Sequence, residues 1–351
     1  MPVSAHFSGR TEVRWGIIGC GDVTEVKSGP GFQKAAGSSL VAVMRRKGGL
    51  AADYARRHGV ARWYDSAAAL VADSAVDAVY IATPPETHAD YALLVAAAGK
   101  PAYVEKPMAR HLPECARMVR AFGEANLPLF VAYYRRRLPR FLEVAAMLRG
   151  GVLGRVTGIS YRQAAPFHRG PAIWRVDAAQ AGAGHFLDVG SHTLDLLDAL
   201  FGPLTDVAGL AANRGSDYAV EDTVAMSFQT AAGVPGVASW NFASAVAHDA
   251  LTITGTAGQL VFSIFGNDAI CWETAEGVKL LERPNPPHVA QPLIQAVVDD
   301  LLGRGVCPST GESASRTTRV MDTVLEAYYG GRSRAFWLDP TEWPGRRTAA
   351  L

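Results

Sequence analysis

Two segments of the chain carry residues suited to proton chemistry. Phe186–Pro203 reads FLDVGSHTLDLLDALFGP and holds Asp188 and His192 four residues apart at the start of an oily run. Val104–Pro107 reads VEKP and sets Glu105 beside Lys106. An imidazole titrates near neutrality, so it can take or give a proton at working pH. Leu194, Leu197, Leu200 and Phe201 recur at helical spacing, and Gly202-Pro203 ends the run. If the helical phase extends back to Asp188, Asp188 and His192 share one side, away from that apolar stripe. Each residue also has a plain structural reading: Asp188 as a helix N-cap, His192 as an interior histidine, Lys106 as a solvated surface charge.

The elements that must position these residues are legible upstream. Short β-rich runs occur at Trp15–Ile18, Leu40–Met44, Val60–Tyr64, Ala78–Ala82, Ala102–Val104 and Leu129–Ala132. Helical stretches at Leu50–His58, Ala67–Ala72, His88–Ala98 and Pro113–Ala125 lie among them. Such alternation predicts a mostly parallel sheet with helices on both faces. Ligands of such sheets bind beyond the carboxyl ends of the strands, so the residues just after each strand matter most.

After the first run comes Gly19-Cys20-Gly21-Asp22-Val23-Thr24. Gly19 and Gly21 fit a tight turn against a pyrophosphate, with Asp22 and Val23 opening the next helix. Thr24 stands where a third glycine is usual, and Gly29-Pro30-Gly31 predicts a short or broken first helix. The second run leads into Arg45 and Arg46, where an acidic residue would bind the ribose hydroxyls of NAD; the arginines suit the 2′-phosphate of NADP instead. The fourth run ends in Thr83-Pro84-Pro85, with His88 opening the next helix as a candidate cofactor contact or a capping or surface residue. Glu105 and Lys106 fall at the carboxyl edge of the fifth run, where a lysine can meet a ligand.

The glycine turn, the Thr-Pro-Pro edge, Glu105-Lys106-Pro107 and the later GAGHFLDVGSH resemble the Gfo/Idh/MocA family of nicotinamide-dependent oxidoreductases, from about Val13 to Tyr329. The resemblance implies an α/β chain: an N-terminal Rossmann domain, set here at 12–134, then a substrate-binding and oligomerisation α/β domain with a large, mainly antiparallel open sheet at 135–337. It implies NADP or NAD as cofactor, with NADP preferred on the arginines, and a sugar, cyclitol or related polyol as substrate. Lys106 corresponds to the family's lysine, and Asp188 and His192 to its later acidic and imidazole positions. Gly19, Gly21, Asp22, Val23, Arg45, Arg46, Thr83, Pro84, His88 and Glu105 become cofactor candidates. Trp174 would wall the substrate pocket, and Arg175 would donate to substrate oxygens. Oxidising an alcohol releases a hydroxyl proton. His192 or Lys106 is the base, the other steadying the oxygen, with Asp188 fixing the imidazole or a second hydroxyl. Two departures bear on substrate: Gly182-Ala183-Gly184 replaces a triple glycine, and Tyr133-Tyr134 precedes Arg135-Arg136 where relatives place an Asn. A homo-oligomer, dimer or tetramer, is expected.

Composition agrees with a soluble enzyme. The chain has 351 residues with a formal charge of +1, which argues against nucleic acid or an anionic membrane as partner. No stretch approaches the roughly 18 apolar residues of a membrane helix, and no signal peptide opens the chain, so a cytoplasmic protein is expected. Cys20, Cys115, Cys271 and Cys307 are far apart and read as buried reduced thiols. In the second half, residues 155–167, Glu221–Gln229, Val237–Phe242, Leu251–Thr254 and Gln259–Phe265 read as strands. Leu138–Arg149, Leu293–Leu302 and Ser313–Tyr329 read as helices. Three rival functions stand beside this one: a metal hydrolase using His185, Asp188 and His192, which lacks a supporting motif; a nucleotide-binding regulator; and a lyase or glycosidase that uses bound cofactor transiently.

Overall fold

The computed structural model describes residues 6–166, 173–332 and 335–346. The chain divides into two compact units. The first takes the described residues up to Ala109, then Pro113–Leu138 and Pro286–Ser315; the second takes Arg110–Leu112, Pro139–Asn285 and the residues from Arg316 onward. The boundary expected at 134/135 therefore falls at Leu138/Pro139, and a later segment returns to the first unit.

The first unit opens with β1 (Val13–Ile18), then two short helices, α1 (Asp22–Val26) and α2 (Gly29–Lys34), as Gly29-Pro30-Gly31 predicted. β2 (Ser38–Met44), α3 (Gly48–His58), β3 (Arg62–Tyr64), α4 (Ala67–Ala72), β4 (Ala78–Ile81), α5 (His88–Ala97), β5 (Ala102–Val104), α6 (Leu112–Glu124) and β6 (Leu129–Val131) follow. All six predicted strands form one parallel sheet in the order β3-β2-β1-β4-β5-β6. The order reverses direction between β1 and β4, the place where such sheets receive ligands. β1, β4, β5 and β6 are buried almost throughout, as expected of strands covered on both faces.

The second unit begins with α7 (Pro139–Arg149) and β7 (Val156–Ala164). The predicted end of that strand at Phe167 lies outside the described residues. Next come α8 (Ala178–Ala181), α9 (Ser191–Phe201) and seven strands: β8 (Leu204–Ala212), β9 (Thr223–Thr230), β10 (Pro235–Asn241), β11 (His248–Gly255), β12 (Gly258–Phe262), β13 (Ile270–Thr274) and β14 (Gly277–Leu281). They form one sheet with β7, in the order β14-β13-β12-β11-β7-β10-β9-β8. Among the described pairs of this second sheet only β7–β10 is parallel. Sequence reading overlooked β8, β13 and β14. β8 carries Gly209 and a register shift near Asp206, and β13 and β14 are five-residue strands at the sheet margin, too short for a sustained alternation.

The chain ends with α10 (Gln291–Leu301) and α11 (Gly311–Tyr329). α10 was assigned to the second domain, but it packs in the first. Leu293, Ile294, Val297 and Leu301 are buried in one core with Trp15, Phe32, Tyr80 and Tyr103. Its apolar face had no marker of the core it joins. Among the described residues no helix is long and apolar enough to cross a membrane.

Candidate active site

In the first unit the candidate residues gather at the carboxyl edge of the sheet. Gly19 follows β1 at φ +92°, a left-handed conformation that favours glycine. A Cβ there would lie 2.7 Å from Thr83 Cγ2, so the turn packs directly on the residue that follows β4. Gly21 is different: a Cβ would meet only the Gly19 carbonyl, at 3.9 Å, and the space over the turn is open. The role of the absent third glycine is taken later. Thr24 is buried and donates to the Gly21 carbonyl at 2.7 Å, while its own carbonyl accepts from the Tyr54 hydroxyl at 2.9 Å. Gly29 then passes so near Thr24 that a Cβ would stand 2.1 Å from that carbonyl.

Arg45 and Arg46 follow β2 and are exposed, and neither makes an ion pair among the described residues. Thr83 and Pro84 lie after β4, partly exposed, with the Thr87 hydroxyl donating to Thr83 Oγ1 at 2.8 Å. His88 is neither a surface nor a capping residue. It is fully buried, with Nε2 2.7 Å from the Thr83 carbonyl and Nδ1 3.0 Å from the Pro107 carbonyl. Burial pushes its pKa down, so the neutral ring donates to one carbonyl at a time and ties the β4 edge to the residue after Lys106.

Lys106 follows β5 through a half-buried position and precedes a cis Pro107. Glu105, a cofactor candidate, is turned to protein partners. Tyr80 donates its hydroxyl to one carboxylate oxygen at 2.5 Å, and the Lys106 backbone N–H donates to the other at 3.1 Å. Burial raises the Glu105 pKa, against the opposing pull of those donors and of the Lys106 charge. Sequence reading missed Tyr80. Its one available signal was a phenol inside the apolar run Ala78–Ile81, since a buried hydroxyl needs a partner.

The second unit holds the other set. The run expected as one helix from Phe186 divides: residues Phe186–Gly190 form a single π turn, and α9 begins at Ser191. Widened turns of this kind recur at functional sites. Asp188 therefore is not the N-cap of α9. Its half-buried carboxylate lies 3.3 Å from Arg175 Nε, and the Arg175 guanidinium sits 4.4 Å from the centre of the Trp174 ring. His192 is 5 % exposed, with its ring 6.1 Å from that of Phe265. The apolar stripe is only half the story of α9. Leu194 and Leu197 are buried, but so are Asp195 on the other side and Asp198, one turn on from Leu194, and Leu200 and Phe201 are partly exposed. Asp198 is held there by a two-pronged pair with Arg316 at 2.8 Å. Upstream, the Gly184 N–H donates to the buried carboxylate of Glu221 at 3.0 Å, and Tyr329 donates to the same carboxylate. Neither Glu221 nor Arg316 was singled out from the sequence.

A nicotinamide dinucleotide fits the first unit on its own geometry. The open space above Gly21 allows a pyrophosphate close to the backbone of Gly21, Asp22 and Val23, and two unpaired guanidinium groups flank the end of β2. Cys20, in the turn itself, is buried and its thiol is pushed up to about 11, so it is an inert packing residue. Cys115 and Cys307 are buried likewise, whereas Cys271 is partly exposed; none of the four forms a disulfide among the described residues. Among the described residues no three His, Cys, Asp or Glu side chains group as metal ligands.

Comparison with known proteins agrees with this layout. Residues 13–133 match the model described as the oxidoreductase family, NAD-binding Rossmann fold, and residues 141–261 match the GFO/IDH/MocA C-terminal domain. The chain is 36 % identical over 319 residues to Oxidoreductase P35 of Formosa agariphila, covering 89 % of this chain and 98 % of that protein. It is 28 % identical to 1,5-anhydro-D-fructose reductase of Ensifer adhaerens, covering 91 % and 97 %. The fold superposes on levoglucosan dehydrogenase in complex with NADH and levoglucosan with a TM-score of 0.81 at 21 % identity, covering 90 % and 96 %. The chain belongs to the Gfo/Idh/MocA oxidoreductases, enzymes that work with a nicotinamide cofactor held on a Rossmann fold.

Proposed function

We propose that this enzyme moves a hydride between nicotinamide and a hydroxyl or carbonyl carbon of a sugar, cyclitol or related polyol, with Lys106 and His192 handling the proton. When bound, the nicotinamide accepts or supplies the hydride; the protein orients the substrate and moves the proton. Gly19, Gly21, Asp22 and Val23 hold the pyrophosphate, bordered by Thr83 and Pro84. Arg45 and Arg46 favour NADP over NAD, because a guanidinium matches a phosphate in charge and geometry. Lys106 donates to the reacting oxygen and steadies negative charge on it. His192 takes the hydroxyl proton in oxidation and returns it in reduction. Arg175 donates to further substrate hydroxyls beside Trp174, and Asp188 orients Arg175.

The observation that carries this reading is the seating of Lys106 directly after β5, at the same sheet edge as the open Gly21 turn. The names of two relatives, which act on 1,5-anhydro-D-fructose and levoglucosan, support a sugar-like substrate. Leu210 and Val237 support self-association. They are 74 % and 56 % exposed and share one face of the eight-stranded sheet, since Leu210 pairs with Ala225, which pairs with Ser239 two residues from Val237. A dimer or tetramer seen by sedimentation would agree.

The test is a screen of sugars and polyols by cofactor absorbance, followed by Lys106→Ala and His192→Ala. Each should lower turnover by roughly a hundred- to ten-thousandfold, the usual worth of a proton-transfer group, with cofactor affinity retained. Near-normal turnover in either variant would remove that residue from the mechanism. Product formed with no net change in cofactor oxidation state would replace net oxidation with transient use of the cofactor.

A further inference from the structure

We propose that Tyr80 is a positioning residue for Lys106, acting through the Glu105 carboxylate. This rests on the reading of Lys106 given above. Tyr80 lies in β4 and is fully buried, stacked at 5.1 Å on Tyr103 and 5.0 Å from Phe32. Its hydroxyl donates to one oxygen of Glu105, and the other oxygen accepts from the Lys106 backbone. One carboxylate thus joins β4 to the main chain of the lysine.

Packing alone does not call for this hydroxyl. The neighbouring Tyr103 is as deeply buried, and its own hydroxyl has no hydrogen-bond partner among the described residues. A phenylalanine would stack in either place, so the Tyr80 hydroxyl has a separate task. That task is to keep a carboxylate charged where burial disfavours charge. The groups facing Glu105 are Tyr80 from β4, Tyr103 from β5, the adjoining Lys106, and Lys27 at the end of α1. The Lys27–Phe32 segment, which the fingerprint left unexplained, reaches the same group through the Lys27 charge and the Phe32 ring. No proton is transferred in this arrangement. The Tyr80 hydroxyl and the Lys106 N–H both favour the ionised carboxylate, which fixes the Lys106 main chain beside β4.

The experiment compares Tyr80→Phe with the unaltered enzyme. In cofactor-free protein labelled with ¹³C at glutamate carboxyls, the Glu105 resonance, assigned by its loss in Glu105→Gln, is titrated. Its midpoint should rise by roughly one to two pH units, the effect of losing one hydrogen bond to a charged group. The acid limb of kcat should move upward by a matching amount, with nucleotide Kd changed less than about twofold. In a Glu105→Gln background, Tyr80→Phe should have no further effect on kcat. If Tyr80→Phe fails to fold, 3-fluorotyrosine placed at position 80, a stronger donor of the same shape, should move the same midpoint downward. An unmoved midpoint, a pH-independent loss of kcat, or a full Tyr80→Phe effect in the Glu105→Gln background would overturn the proposal. Normal turnover in Lys106→Ala would instead sink the assigned chemistry, while the carboxyl titration would still score the Tyr80–Glu105 link by itself.

Discussion

Arg175 Nε lies 3.3 Å from an Asp188 carboxylate oxygen, and the same guanidinium covers the Trp174 ring at 4.4 Å. The pair is partly exposed, so screening keeps its worth to stability small. Its value is directional, because the carboxylate and the ring together fix the plane of the guanidinium. Asp188→Asn should therefore leave the melting temperature nearly unchanged and lower kcat/KM by roughly tenfold or more, as loss of a charge-assisted contact does. Arg175→Lys should raise KM for substrate, since an ammonium cannot reproduce the fork. Steady-state kinetics on the substrate found by screening checks both.

Arg45 and Arg46 should select the cofactor. Replacing both with alanine should weaken NADP by roughly tenfold or more and leave NAD within about twofold, because only NADP presents a phosphate there. Fluorescence titration of the two nucleotides measures this directly. Tighter binding of NAD than of NADP by the unaltered enzyme would end the NADP preference.

Gly21 and Gly29 should separate binding from folding. A Cβ on Gly21 meets open space, so Gly21→Ala should keep the melting temperature while reducing nucleotide affinity, the methyl group occupying the place of the pyrophosphate. A Cβ on Gly29 meets the Thr24 carbonyl at 2.1 Å and the Tyr54 hydroxyl at 2.5 Å. Gly29→Ala should cost about 1–3 kcal/mol of stability, the usual range for overpacking a core. Calorimetry beside nucleotide titration distinguishes the two.

Glu25 should contribute to acid sensitivity. Arg57 donates to both of its oxygens and His58 approaches one at 2.7 Å, and these contacts hold its pKa at about 2 against an ordinary 4.5. A depressed carboxylate contributes stability that is present above 4.5 and is lost as pH falls towards about 2. Glu25→Gln should melt lower than the unaltered protein near neutrality, and the difference should vanish in strong acid. A gap that persists in thermal scans at about pH 2 would contradict this linkage.

Much of the first unit was readable because a parallel sheet buried on both faces leaves short apolar runs with turn residues between them. All six strands and the broken first helix followed from that texture, and the site edge followed from the strands. The second sheet was less legible. β8 is interrupted by a register shift and the marginal strands β13 and β14 are only five residues long, so their pairing leaves little pattern in the chain.

Taken alone, the amino-acid order determined which residues stand at the ends of strands, for strand ends are local events marked by glycine, proline and charge. It placed Gly19, Gly21 and Lys106 at the sheet edge in this way. What it left open was the partner of each polar group, because partners come from remote parts of the chain. Tertiary structure alone decided that His88 bridges two carbonyls, that Glu105 faces Tyr80, that Asp188 joins Arg175 from a π turn, and that α10 returns to the first core. A buried hydrogen bond depends on which segments are packed together, and local periodicity carries no record of that choice.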